Sequence, residues 1–435
     1  MSRKQFDIPD MYASSIIRTV KEASKIRDPR KKDLRPVELA FGPVTFLIPR
    51  HFGFCYGVEN AIDIAYRTVD ENPGRRVFLL SEMIHNPTVN EDLQRRGVRF
   101  LFETDGTPLV PFESLTAEDI VIVPAFGTTL DIERRLREIG IDPYRYNTTC
   151  PFVEKVWKRG EQLGRKGYSL VIHGKFAHEE TRATFSHTAS HSHAVVVLNP
   201  DEARVLAAIL TGERPSEDFE RIFGGRYTPV FDPQLHLKQF GVINQTTMLA
   251  TETREVMDIL KQAAQTAREN AANPPVEDPA ARSCEADAAW DFADTSDTLC
   301  YATTENQSAT LALAEASPDV SIIVGGYNSS NTMHLVEILE HAGPAYHVRD
   351  ASELASNRLI HHFDQWRKQR LSTQDWLPEP REGAPLRIAL TSGASCPDVL
   401  VDDVLLAILE WFPGSAGKLD QVLEPFRESQ PDRVV

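Results

Sequence analysis

Short β-branched runs recur along this chain, each followed by a turn and then a helix-patterned stretch. "VTFLI" (44–48), "DIVIVPAFG" (119–127), "YSLVIHGK" (168–175), "FGVINQTT" (240–247), "VSIIVGG" (320–326) and "LRIALTSGAS" (386–395) all read this way. Strands alternating with helices of roughly 10 to 15 residues predict parallel α/β units. Polar residues gather where these strands end: His173, Asn244, Gln245, Thr246, Asn328, Ser329, Ser330, Asn331, Ser392 and Ser395. Open parallel sheets bind ligands beyond the carboxyl ends of their strands. Ser, Thr and Asn also cap helices, so one such end means little, whereas several in sequence point to a converging polar site.

The 435 residues suffice for about two to four domains. Three α/β domains are expected, over 43–138, 139–265 and 298–413, behind an N-terminal extension (1–42). A linker or surface excursion rich in Ala, Pro and acids would cover 266–297, and a peripheral tail 414–435. A hydrophobic fraction of 41% is that of a chain with a real core. No apolar run of about 18 residues occurs, so no membrane span is expected. The start, "MSRKQFDIPDMYASSIIRTVKEASK", lacks an apolar signal core. It predicts a cytoplasmic, bacterial protein; its basic residues leave an organelle transit sequence open, although its acids speak against one. A net charge of −16 disfavours nucleic-acid partners, yet leaves room for a small anion met locally by backbone donors.

The cysteines are Cys55, Cys150, Cys284, Cys300 and Cys396. An odd, widely spaced set without CxxC does not read as a disulfide framework. Three share one context. Cys55 precedes "YGVENAIDIAYRTV", whose Val58, Ile62, Ala65, Tyr66 and Val69 fall on one helical face. Cys150 precedes "PFVEKVWKRGEQL", with Pro151 suited to a first turn, and Cys300 precedes "YATTENQSATLALAE". Each thiol is thus predicted at a helix N-terminus, one per expected domain. Free N–H groups and the helix dipole favour thiolate there, and glycines beside Cys55 would let a bulky group approach. The plainer alternative is three small side chains at tight turns. If the thiolates converge, zinc with an open position and an iron–sulfur cluster with one iron left free both fit; spacing does not choose. Cys284, inside the expected linker, is assigned no chemistry.

Longer motifs add to this. "FGFCYGVENAI", "EMIHNPTVNEDLQRRGV", "NTTCPFVEKVW", "HGKFAHEET", "NQTTM", "CYATTENQ", "GGYNSSNT" and "TSGASCPD" together closely resemble the 4-hydroxy-3-methylbut-2-enyl diphosphate reductase family, from about residue 43 to 410 and in the family's order. The long N-terminus and "HGKFAHEET" look like its plant and cyanobacterial branch. The resemblance implies three α/β domains around one central [4Fe-4S] cluster per chain, held by Cys55, Cys150 and Cys300, with one iron free. It implies an oxidoreductase of the non-mevalonate isoprenoid pathway. The hydroxyl of a small diphosphate binds that iron, two electrons and protons remove it as water, and isopentenyl and dimethylallyl diphosphates form. Ferredoxin or flavodoxin is the implied electron donor.

By motif match, His85 and His178 bind the diphosphate, Glu180 delivers protons, and Thr246 sits near the substrate hydroxyl and could relay one. Ser329, Ser330, Asn331 and Ser395 match the rest of the diphosphate set, whose hydroxyls, amide and N–H groups suit phosphate oxygens without a basic patch. That reconciles an acidic chain with an anionic substrate. One departure stands out: Phe126 in "PAFGTT" occupies a position that is histidine in the common bacterial pattern, and Phe donates no hydrogen bond. His173, Lys175 or the backbone would then make that contact. The cluster His187, His191 and His193 in "SHTASHSH" is expected as a solvated loop rather than a metal site. Two rivals remain: a zinc-dependent lyase or hydrolase on the same thiolates, and a non-catalytic iron–sulfur sensor or assembly protein.

Overall fold

The computed structural model describes residues 6–272, 291–295, 298–380 and 383–428. The chain divides into two compact units: Met1–Tyr66 with Ile84–Leu93 and Tyr301–Val435, and Arg67–Met83 with Gln94–Cys300. Among the described residues there are three sheets.

The first unit is built on an eight-stranded sheet. Its centre is parallel: Val44–Ile48 pairs with Leu386–Ser392, which pairs with Val320–Val324, which pairs with Ala345–Val348. Antiparallel strands extend both sides, Val37–Ala40 on one and the Leu354–Ser356, Leu359–Asp364 and Gln369–Gln374 meander on the other. "VTFLI" and "VSIIV" are buried at every position, as central strands covered on both faces must be. Alternation then sorts the residues. Phe46, Ile48, Ile322, Val324, Ile388 and Leu390 face helices Ile16–Arg27, Asp398–Leu409 and Leu419–Arg427. Leu47, Ile323 and Ala389 face Leu313, Leu335 and Leu339 of helices Tyr301–Glu315 and Ser330–Glu340.

Three expectations differ here. The sheet is mixed rather than parallel throughout. "VTFLI", expected to open a domain over 43–138, pairs instead with Leu386–Ser392, because a strand this apolar needs a neighbour and cover on both faces. The extension and tail are also more than peripheral: Ile16, Ile17 and Val20 are buried in the same core as Leu423 and Phe426, worth on the order of 2 kcal/mol for each large apolar side chain.

The second unit holds two parallel sheets. One has Val77–Leu79 between Arg99–Phe100 and Ile120–Ile122. The other runs Ala194–Val197, Ser169–His173, Gln239–Asn244, Asp291–Ala293. Val171, Val195, Phe240 and Val242 pack under helices Pro200–Thr211 and Ala250–Ala272. Leu170, Ile172, Val196 and Ile243 pack against Val156 and Leu163 of helix Pro151–Gly164. Helix Ala250–Ala272 continues into the stretch expected as linker, and Asp291–Ala293 pairs as a strand. Cys284 lies outside the described residues.

Candidate active site

All three cysteines of shared context precede helices. Cys55 stands before Tyr56–Glu71, Cys150 is the N-cap of Pro151–Gly164, and Cys300 stands before Tyr301–Glu315. None is in a disulfide; Cys55 and Cys150 are half-buried and Cys300 is buried. The Cys55 N–H donates to the Ala394 carbonyl at 3.3 Å, and the Cys150 N–H donates to the Ala125 carbonyl at 2.9 Å. Cys150 makes no side-chain cap bond. Gly53 has a different use from the one expected. Its φ is +72°, and a Cβ there would fall 2.0 Å from Asp398 Oδ1 and 2.8 Å from Lys21 Nζ. The glycine makes room for that ion pair (2.7 Å), not for a bulky group.

In the second unit, helix Glu179–Ala189 starts at "HEE". His178 is its N-cap, and Nδ1 accepts the Glu180 N–H at 3.2 Å. An imidazole whose Nδ1 accepts carries its proton on Nε2, so His178 offers a directed N–H without needing a positive charge. The Phe126 ring stands edge-on to it, centroids 5.5 Å apart at 86°. Phe126 therefore cannot replace a histidine's hydrogen bond but does fix the one beside it.

Glu180 is 2% exposed. Its Oε1 accepts the Thr246 N–H and its Oε2 accepts the Thr246 hydroxyl at 2.9 Å. Thr246 follows strand Gln239–Asn244, so a strand end and a helix start of this unit meet at one carboxylate. Gln245 ties the same corner: its Oε1 accepts the Lys175 N–H at 3.1 Å and the Thr181 hydroxyl at 3.0 Å. A Cβ on Gly174 would meet Thr181 Oγ1 at 2.7 Å, which is why "HGK" needs its glycine. His173 is fully buried with Nδ1 2.9 Å from Thr253 Oγ1, an anchor beneath the sheet end.

In the first unit, the ends of Val320–Val324 and Leu386–Ser392 bring four of the predicted residues together with His85. Ser329 is the N-cap of Ser330–Glu340, its Oγ accepting the Thr332 N–H at 3.2 Å. Ser395 Oγ lies 3.5 Å from Ser329 Oγ and donates to the His85 carbonyl at 3.2 Å. Asn331 Oδ1 accepts the Ala394 N–H at 2.8 Å, while its Nδ2 is buried without a partner. Ser330, Asn331 and His85 are buried. Some of these side chains do cap a helix, as the plainer reading held, but a buried, unmatched amide N–H costs about 1–3 kcal/mol unless an acceptor arrives.

The histidine run differs from expectation at His187, while His191 is exposed in a turn. His187 is in the last turn of Glu179–Ala189, stacked on Trp157 at 3.8 Å and 11°, with Nε2 3.2 Å from the Thr128 carbonyl. Burial pushes its imidazole below the usual value. It is a packing residue, not part of a solvated loop.

Comparison with known proteins decides the family. The family described as LytB protein matches residues 46–409. The chain is 36% identical over 372 residues to the 4-hydroxy-3-methylbut-2-enyl diphosphate reductase of Gloeobacter violaceus, covering 85% of this chain and 83% of that protein. It is 35% identical over 399 residues to the enzyme of that name from a Picosynechococcus species, covering 91% and 89%. The chain belongs to the LytB family. It is a homologue of these reductases, and so of an oxidoreductase family. A solved structure, the E-1-hydroxy-2-methyl-but-2-enyl-4-diphosphate reductase from Plasmodium falciparum, aligns with a TM-score of 0.57 over 84% of this chain and 87% of that one. At 19% identity that likeness speaks for the fold alone.

The LytB match includes every candidate residue and leaves out helix Ile16–Arg27 and strand Val37–Ala40. The thiols can be tested against an iron–sulfur cluster on their chemistry. Three cysteines at helix starts, none in a disulfide, are the donor type a cluster takes, with N–H groups at hand to favour thiolate. Among the described residues no three His, Cys, Asp or Glu side chains converge as a single ion requires. Cys396, fully buried with its thiol pushed well up by burial, does not fit.

Proposed function

We propose that this chain is a 4-hydroxy-3-methylbut-2-enyl diphosphate reductase, which removes the substrate hydroxyl reductively in the non-mevalonate pathway to give isopentenyl and dimethylallyl diphosphates. Family membership supports the reaction class, and the observation that carries the chemistry is the Glu180–Thr246 pair. We assign Cys55, Cys150 and Cys300 to one [4Fe-4S] cluster at the centre of three α/β domains. Such a cluster would relay, one at a time, the two electrons that an external donor supplies, and would offer an iron for the substrate hydroxyl.

The rest falls to this chain's own side chains. A buried glutamic acid next to a hydroxyl is a proton source with a relay, because a threonine hydroxyl both donates and accepts and its hydrogen rotates. A proton on Glu180 Oε2 can pass to Thr246 Oγ1 as Thr246 gives its own to the departing oxygen. Asn331 Nδ2, the Ser329, Ser330 and Ser395 hydroxyls and the N–H groups opening Ser330–Glu340 would bind the diphosphate; His85 and His178 add imidazole N–H donors. Burial of these groups excludes water, which strengthens each bond to the anion. A ferredoxin or flavodoxin is the proposed electron donor.

The test is anaerobic turnover of 4-hydroxy-3-methylbut-2-enyl diphosphate with a chemical reductant, for wild type and Glu180→Gln. Glutamine keeps the shape and the acceptor for the Thr246 N–H but has no proton to give. The expected result is a cluster spectrum like wild type and a rate lower by about a hundredfold or more. A wild-type rate would remove Glu180 as the proton source. Stoichiometric zinc without sulfide would return the thiolates to the hydrolase alternative.

A further inference from the structure

Outside the assigned groups, one buried histidine holds the backbone from which the Ser/Asn set hangs. His347, on Ala345–Val348, is fully buried, and its Nε2 lies 3.1 Å from the Gly325 carbonyl. Gly325 follows directly on the neighbouring strand Val320–Val324, and its own N–H donates to the Val348 carbonyl at 2.9 Å. Both polar groups of this one glycine are therefore held by the adjacent strand. Burial pushes His347 down to about 4, so at neutral pH the ring is uncharged with one hydrogen. The carbonyl requires that hydrogen on Nε2.

The segment that follows has no slack. A Cβ on Gly325 would sit 2.5 Å from Thr332 Oγ1, and one on Gly326 would sit 2.4 Å from the His85 carbonyl oxygen. The Gly326 carbonyl accepts the Ser329 N–H at 3.0 Å. Tyr327 stands edge-on to the His347 ring (5.3 Å, 88°) and stacks on Phe363 (4.7 Å, 13°). Its hydroxyl donates to buried Glu353, which also accepts the Arg349 N–H and Arg370 Nη2, each at 2.9 Å. His347 fixes the start of the loop and Tyr327 its middle; Ser329, Ser330 and Asn331 come next.

We propose that His347, assisted by Tyr327, is a positioning residue that sets the diphosphate affinity of the 329–331 segment by clamping Gly325 and its loop. This rests on the diphosphate reading of that segment. Neither side chain is placed on the reacting atoms, so the effect belongs in binding rather than in the chemical step.

The experiment measures inorganic pyrophosphate binding by calorimetry, and KM and kcat with the diphosphate substrate, for the cluster-loaded wild type, His347→Leu, His347→Gln and Tyr327→Phe. Loss of one such hydrogen bond predicts for His347→Leu a pyrophosphate Kd and a KM raised about fivefold, with kcat within about twofold and an unchanged cluster absorbance. His347→Gln, which retains an N–H donor, should recover part of the loss. Tyr327→Phe, which keeps the ring and loses the bond to Glu353, should move Kd the same way by about twofold, and it carries the test alone if the leucine variant does not fold. Wild-type Kd and KM in the folded variants would overturn the proposal. So would kcat and cluster content falling together with affinity, the mark of general damage. Failure of the wild type itself to bind pyrophosphate would remove the diphosphate reading of this segment, and the proposal with it.

Discussion

Cys396 and the three candidate ligand cysteines carry the same thiol, and their surroundings separate them. Cys396 is fully buried, its Sγ 3.6 Å from the Pro397 carbonyl, and burial favours the neutral thiol. Cys55, Cys150 and Cys300 each stand where a helix opens, the position that favours thiolate. Alanine at any of these three should abolish the bound cluster, read as iron and labile sulfide per chain after anaerobic purification. Cys396→Ala should leave both within about a fifth of wild type. Full cluster content in Cys55→Ala would overturn the ligand assignment. These positions were legible in the sequence because each has a local signature, a thiol followed by a helix-patterned stretch. The role of Phe126 was not, since its contact with His178 spans two separate segments of chain.

At the scale of elements, apolar runs located the strands because a central parallel strand must be apolar on both faces. Pairing was less legible. The partnership of Val44–Ile48 with Leu386–Ser392 joins segments with most of the chain between them, and no local pattern announces it. The cap of helix Ile16–Arg27 is similar. Asp402, 386 residues away from Ile16, accepts the N–H groups of Ser15 (2.8 Å), Ile16 (3.0 Å) and Ile17 (3.0 Å) and the Ser14 hydroxyl (2.8 Å). One carboxylate thus satisfies donors that a helix start leaves open. Asp402→Ala should lower stability by about 2 kcal/mol or more, read as a lower urea midpoint, with Glu410→Ala as a surface control expected to change little. A midpoint equal to wild type would show that the helix is held by its apolar face alone.

For the molecule as a whole, buried histidines make the fold sensitive to acid. Burial lowers His347 and His51 to about 4, and lowers His187, His193 and His362 in the same direction. In the unfolded chain these groups take protons near pH 6.5. The unfolded state therefore binds more protons between about pH 6.5 and 4, and stability falls as pH drops through that window. His347 alone accounts for about 3 kcal/mol by pH 4 as an order of magnitude. The urea midpoint should decline from pH 7.5 to 5.5, and His347→Gln should flatten the slope; a midpoint independent of pH would contradict it. The net charge of −16 is compatible with the proposed diphosphate site because its donors are hydroxyls, amides and N–H groups rather than a basic patch.

The central claim is that three thiolates carry a cluster and that Glu180 and Thr246 supply the protons for reductive dehydroxylation. Its most direct measurement is product analysis after anaerobic turnover of 4-hydroxy-3-methylbut-2-enyl diphosphate by protein holding about four iron and four labile sulfide per chain. The account predicts isopentenyl and dimethylallyl diphosphates from wild type. Intact substrate after incubation with cluster-replete, reduced protein would contradict it.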